Sequence, residues 1–473
     1  MRIYDWTKEV DIRKNELLKD TQDLLHIKSV LDEKNSSPTA PLGEEVKKAL
    51  EFMLQKGELD GFKVKNVGNL AGHIEFGEGE ELVGILCHVD VVPEGDGWLS
   101  DPFGAEIRDG KIYARGAIDD KGPTMAAYYA MKIVKELGVP LNRRVRMIIG
   151  TDEESEWRCV EHYFQQEEMP TMGFAPDADF PIIHAEKGIS DFDIVQNISD
   201  TNEKNCNYQI DVLSFMSGRR YNMVPDFAKA ELQIKYQPTD VIQRFKGFLV
   251  KNKLTGKQFV DGGRLVLEIE GVSAHGMEPD NGKNAGLYLA KFLIGFKLET
   301  NSDHFFQFVD CYFGNDSRGK ELGIAFTDDI SGELTLNVGK LSFTKADGGS
   351  LGINLRYPVT TQFEEIKEKL VERISSEGYS LANFSNSKPH YVEEDNFLIQ
   401  VLKKVYEEQT GEEAQLLAIG GGTYARSLKA GVAFGPLFPG REDIAHQKDE
   451  YISIEDLLKA TSIYAHAIYE LTR

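Results

Sequence analysis

Glu81-Leu-Val-Gly-Ile-Leu-Cys-His88 is a short apolar run that ends on a histidine. A run of that length reads as a strand buried on both faces, the kind found inside a sheet covered by helices. Outward from it, residues 123–137 carry helical apolar spacing with Pro123 in the first turn, and residues 145–149 form a second buried strand. Upstream, residues 10–30 place Ile12, Leu17, Leu18, Leu24, Leu25 and Ile27 at three- and four-residue steps. A further helix spans 42–56, after the loop Ser36-Ser-Pro-Thr-Ala-Pro41. Strand and helix alternate, so the fold class is α/β with a central sheet between helices.

From about Gly188 the texture changes. Strand-like segments at 190–196, 208–215, 228–236, 265–270, 332–339 and 352–357 alternate with helical stretches at 240–249 and 284–298. After Pro389 helical spacing returns at 397–407 and 457–471. The expected organisation is an α/β domain in two segments, 1–188 and 385–473, around an inserted α+β domain at 189–384. At 473 residues the chain exceeds the length at which one core keeps growing, which also favours two domains.

A net charge of −23 repels nucleic acid and anionic membranes, so neither is expected as a partner. No apolar stretch of signal-peptide or bilayer-spanning length occurs, and a cytoplasmic location is expected. Cys87, Cys159, Cys206 and Cys311 lack CxxC spacing and read as reduced, mostly buried thiols.

Chemistry-bearing residues gather at the strand ends. His88-Val-Asp90 closes the first strand, and alternate strand residues share a face, so Asp90 is placed to take the other ring N–H of a ligating His88. Tyr113-Ala-Arg-Gly-Ala-Ile-Asp-Asp-Lys-Gly-Pro123 carries Asp119 and Asp120 immediately before a helix, where they could equally be N-caps. Ile149-Gly-Thr-Asp-Glu-Glu-Ser155 carries Glu153 and Glu154, which alone would pass for an acidic first helical turn. Asp177 lies in Phe174-Ala-Pro-Asp-Ala-Asp179, and His446 lies far downstream. Each sits at or beyond a strand end, where α/β sheets bind ligands.

In the order and spacing of these blocks the chain resembles the M20 family of co-catalytic metallopeptidases, and within it the dipeptidase V type. The matching spans are 84–122, 148–156, 173–188, 271–284 and 420–450. The resemblance implies a catalytic domain of zinc-peptidase type with an inserted lid domain. It makes Asp119 the carboxylate bridging two divalent ions, with His88 and Asp177 on one and Glu154 and His446 on the other. Glu153 becomes the general base, and the peptide bond after Asp119 is expected to be cis. Imidazole and carboxylate donors without thiolate suit Zn2+ first, and also Mn2+ or Co2+. Such a pair of ions activates water and polarises a carbonyl, as amide hydrolysis requires.

On the substrate side, Gly271-Val-Ser-Ala-His-Gly-Met-Glu-Pro279 puts His275 in a glycine-flanked loop. The resemblance makes it the oxyanion stabiliser, supplied within one chain by the large insert, so a monomer is expected. Asn222 and Arg356 match positions that face substrate in that type. An Arg in a strand is ordinarily a solvated face residue, yet its fork is the best grip for a carboxylate. Ile419-Gly-Gly-Gly-Thr-Tyr-Ala-Arg426 offers the N–H groups of Gly421 and Gly422 and the Thr423 hydroxyl. With a helix from Tyr424 to Lys429, that turn would suit the C-terminal carboxylate of a short peptide. Asp179, His184 and Lys187 read as structural. The expected activity is hydrolysis of dipeptides with a free C-terminus. An N-acyl or N-succinyl amino acid deacylase is the alternative, and a non-catalytic binding protein is the reading from another class.

Overall fold

The computed structural model describes residues 4–198 and 208–473. The chain divides into two compact units. The first takes the chain up to Ala185, then 391–418 and 422–473; the second takes 186–390 and 419–421. The expected insert at 189–384 thus differs by a few residues at each end, and Ile419–Gly421, expected with the first domain, sits in the second unit.

Among the described residues the first unit is built on a nine-stranded mixed sheet. At its centre Leu82–His88 runs parallel to Arg144–Gly150 on one side and to Met172–Ala175 on the other. Gly431–Ala433 continues the parallel core beside Met172–Ala175. Ala71–Phe76 and then Lys63–Val67 extend the other edge antiparallel. All seven residues of Leu82–His88 are buried, as a strand covered on both faces requires. Lys121–Glu136 packs on Ile454–Thr472, and both pack on Trp6–Leu25. Asp5, accepting the Lys8 N–H at 3.0 Å, starts that last helix well before the expected 10–30 window.

A small antiparallel sheet joins Tyr451–Ser453 to Lys111–Tyr113 and Lys111–Tyr113 to Glu106–Arg108, with Tyr451 opposite Tyr113. Elsewhere in the unit a polar group is buried between sheet and helix Arg158–Gln166. The Tyr163 hydroxyl donates to His73 Nδ1 at 2.8 Å, and Arg146 donates to Glu75 at 2.6 Å. Burial, and then the charge of Arg146, push His73 down to about 4.

Among the described residues the second unit carries an eight-stranded antiparallel sheet. Its order is Thr255–Asp261, Arg264–Glu270, Phe227–Ile234, Ile210–Ser217, Thr335–Thr344, Gly348–Tyr357, Gly188–Gln196, Tyr379–Ser387. Gly188–Gln196 alternates buried and half-buried residues, the period of a strand with one covered face. A second apolar core, with Phe215, Phe245, Phe292, Phe305, Ile353 and Leu355 among its members, fills this unit. The helix expected at 284–298 ends at Leu293, and a separate helix, Thr300–Phe313, follows, capped by the Glu299 carboxylate. Cys87 and Cys159 are buried thiols, whereas Cys311 is exposed; Cys206 lies outside the described residues. No helix among the described residues is long and apolar enough to cross a membrane.

Candidate metal centre

Three neighbouring parallel strands each deliver a side chain at the same end. His88 closes Leu82–His88, Glu153 and Glu154 follow Arg144–Gly150, and Asp177 follows Met172–Ala175. The C-terminal ends of parallel strands are where such sheets bind ligands. Asp119 comes in just before helix Lys121–Glu136, and His446 from the loop that leads to Tyr451–Ser453.

These side chains converge in two groups, His88 with Glu153 and Asp177, and Asp119 with Glu154 and His446, each with donor atoms within 4.8 Å of one another. One carboxylate faces both. Asp119 Oδ1 lies 3.1 Å from His88 Nε2, and its Oδ2 lies 2.9 Å from His446 Nε2. His88 Nε2 is also 3.7 Å from Asp177, and His446 Nε2 is 3.0 Å from Glu154. Glu153, expected apart from the donors as a base, falls geometrically with His88 and Asp177.

Glu153 and Glu154 occupy a turn, and the helix begins only at Arg158. Asp152 closes this turn by accepting the Arg158 N–H at 3.0 Å, which leaves the two glutamates free of capping work. Asp120 stands at the N-cap position of its helix without a side-chain capping bond to it. Instead its Oδ2 accepts the His88 N–H at 3.2 Å and the Thr124 hydroxyl at 3.0 Å. The Asp119–Asp120 peptide bond is cis.

Asp90 is buried beside His88. His88 Nδ1 lies 3.1 Å from the Asp90 carbonyl oxygen and 3.4 Å from Oδ1, while Oδ2 accepts the Glu154 N–H at 3.1 Å. Asp90 therefore orients one donor from each group. Tyr424, also buried, sets its ring edge against the His88 imidazole at 5.9 Å.

The electrostatics are those of a surplus of buried acid. Burial and the charge of Asp177 push Glu153 well above the usual carboxylate range. Burial and the charge of Asp119 raise Glu154 to about 7 and Asp177 to about 6. Burial acts the same way on Asp119, but hydrogen bonds from His446 and His88 outweigh it and hold it down. His446, bonded to Asp119 and then Glu154, rises to about 11. Buried charges persist when paired or coordinating a metal. Imidazole and carboxylate donors gathered in two neighbouring groups are a set that divalent cations fit.

In the second unit, the Asn222 carbonyl accepts the Gly276 N–H at 2.7 Å, so Asn222 runs alongside the His275 loop. His275 Nδ1 accepts the Met277 N–H at 3.1 Å. Desolvation and the charge of Arg356 hold the imidazole below its ordinary value. Arg356 is not a solvated face residue: it is 5% exposed, donating to Asn354 Oδ1 at 2.9 Å and to the Gly420 carbonyl at 3.1 Å. The glycine turn departs from expectation, because Tyr424–Ser427 is a four-residue 3-10 turn and not a helix. So short a turn presents no helix N-terminus to a carboxylate. Gly421 belongs to the second unit, Gly422 and Thr423 to the first.

Two residues without an assigned role in the motifs also stand out, Arg115 and Glu450. Both are buried, and they form an ion pair of 2.5 Å. Both fall inside motif blocks, but neither spacing nor residue type marks them.

Two neighbouring donor groups beyond the ends of a parallel sheet core are the arrangement of an α/β protein that can hold divalent metal. Residues 84–470 match peptidase family M20/M25/M40, and the chain belongs to that family, a family that works with divalent metal ions. It is 54% identical over 469 residues to "Putative dipeptidase YtjP" of Bacillus subtilis (strain 168), covering 99% of this chain and 100% of that protein. It is 47% identical over 468 residues to a "Putative dipeptidase" of Staphylococcus epidermidis, covering 98% and 99%. Among solved structures, aminoacylhistidine dipeptidase from Vibrio alginolyticus matches with a TM-score of 0.59 at 13% identity, covering 97% of this chain and 96% of that one. Human carnosine dipeptidase 1 matches with 0.56 at 15%, covering 98% of both. At such identities these structures show a common fold.

Proposed function

We propose that this enzyme is a metal-dependent dipeptidase acting on dipeptides with a free C-terminal carboxylate. The observation that carries the reading is the pair of donor groups joined through Asp119, whose two oxygens face His88 and His446. The two near-full-length relatives with dipeptidase names support the substrate class. His88, Asp119 and Asp177 would hold one divalent ion and Asp119, Glu154 and His446 the other, Zn2+ or else Mn2+ or Co2+, supplying carbonyl polarisation and an acidified water.

Glu153 takes the proton from the attacking water and returns it to the leaving amine. Burial and the charge of Asp177 raise its proton affinity, the direction that suits a group taking a proton from water. His275 stabilises the developing oxyanion. Because its Nδ1 accepts the Met277 N–H, the neutral ring carries its proton on Nε2, the donor that role needs. Arg356 grips the substrate carboxylate, held in place by Asn354, and Asn222, Gly421, Gly422 and Thr423 contribute further polar contacts.

A panel of dipeptides, tripeptides and N-acyl amino acids, assayed on metal-stripped protein with Zn2+, Mn2+ or Co2+ added back, tests this. Dipeptide turnover restored by metal is expected. Preference for acyl substrates would replace the reading with a deacylase, and no turnover under any cation would end it.

A further inference from the structure

Arg115 and Glu450 are far apart in the chain, and the small antiparallel sheet makes them neighbours. Tyr451 pairs with Tyr113, and the next position, Ala114, donates its N–H to the Glu450 carbonyl at 3.1 Å. Glu450 is fully buried and Arg115 is 1% exposed. Arg115 Nη1 donates to Glu450 Oε2 at 2.5 Å. The other oxygen, Oε1, accepts the N–H of Ile118 at 2.9 Å and of Asp119 at 3.2 Å. Arg115 Nη2 reaches the carbonyl oxygens of His446 and Glu94, each at 3.3 Å.

The pair thus grips the backbone of two donors at once, the amide of Asp119 and the carbonyl of His446. His446 needs such support. Its φ is 62° and that of Asp449 is 57°, a left-handed region that side chains other than glycine seldom adopt. Of the group Asp119, Glu154 and His446, two members hang from this pair. Asp119 would serve both ions, His446 only one, and none of His88, Glu153 and Asp177 hangs from the pair.

We propose that Arg115 and Glu450 are positioning residues for the metal group Asp119, Glu154 and His446, fixing the backbone from which two of its donors project and so setting its affinity. The inference rests on the two-ion reading above. Two conservative variants separate it from a general structural role. Glu450→Gln keeps shape and an acceptor for the two amides but turns an NH2 group toward Arg115. Arg115→Lys keeps the charge but lacks the second planar arm that reaches His446.

Metal-stripped wild type and both variants are titrated with Mn2+ by calorimetry and with Co2+ by visible absorption, alongside thermal unfolding of the metal-free proteins. Wild type should show two binding events. In the variants the event that uses His446 should weaken about ten- to hundred-fold, and the other, which shares only Asp119 with it, by several-fold less. The metal-free unfolding midpoint should hold, and excess metal should restore kcat. Unchanged binding overturns the inference, as does equal weakening of both events with a lowered unfolding midpoint, or failure of both variants to fold. A single event in wild type overturns the two-ion reading itself, and the inference with it.

Discussion

Glu153 and Glu154 are adjacent in sequence yet face different partners, the first grouped with His88 and Asp177, the second with Asp119 and His446. With Glu153 as the base and not a ligand, Glu153→Gln should keep both ions by elemental analysis while kcat falls on the order of 10²- to 10⁴-fold. Glu154→Ala should lose metal first. An active Glu153→Gln enzyme would refute the assignment of the base. Arg356→Ala makes a second prediction. Removing its positive charge should raise the His275 pKa in an NMR titration, since Arg356 lowers it, and should raise KM more than it lowers kcat. The sign matters for activity: above its depressed pKa His275 is neutral and donates through Nε2, and below it protonation breaks the bond from Met277. The donors are legible because each stands in a short motif at a strand end. Glu450 is not, because its meaning lies in contacts to residues more than 330 positions away.

At the scale of elements, Gly150 ends the strand that precedes the two glutamates, and a Cβ there would run into the hydroxyl of the fully buried Tyr424. Gly150→Ala should cost about 1–3 kcal/mol in denaturant unfolding, the usual cost of overpacking. Because the Tyr424 ring abuts His88, metal affinity should fall too. Between sheet and helix Arg158–Gln166, His73 has a folded pKa of about 4 against an ordinary value of 6.5. The unfolded chain takes up that proton first, so its contribution is present above pH 6.5 and is lost as pH falls toward 4. The size is about 3 kcal/mol. A His73→Gln variant should show a flatter stability profile across that window. The buried central strands are readable from apolar runs alone. Helix Phe363–Ser376 escapes because only Phe363, Ile366, Leu370 and Ile374 are buried in a charged segment, and the Tyr424 turn is too short for any periodicity to reveal.

At the scale of the whole molecule, every strand of the second sheet lies between Gly188 and Ser387, with its own apolar core. Residues 186–390 expressed alone should unfold cooperatively by circular dichroism and bind no divalent cation, since all five proposed metal ligands and Glu153 lie in the first unit. Metal binding by that fragment, or absence of a cooperative transition, would contradict the division. The change of texture near residue 188 is legible because Gly188–Gln196 alternates in burial. The three residues Ile419–Gly421 that join the second unit are not, since so short a crossing carries no pattern.

That division also sets an order of events during synthesis. His88, Asp119, Glu153, Glu154 and Asp177 leave the ribosome before the second unit, and His446 leaves after it. The insert is thus the part that can finish folding first, while the first unit, whose segments flank it in sequence, waits with an acid-rich, half-assembled cluster. Domains ordinarily mature from the N-terminus onward. Here the middle of the chain can mature ahead of its beginning, and a nascent protein stalled after residue 390 would hold a complete insert, Glu153 and four of the five proposed metal ligands.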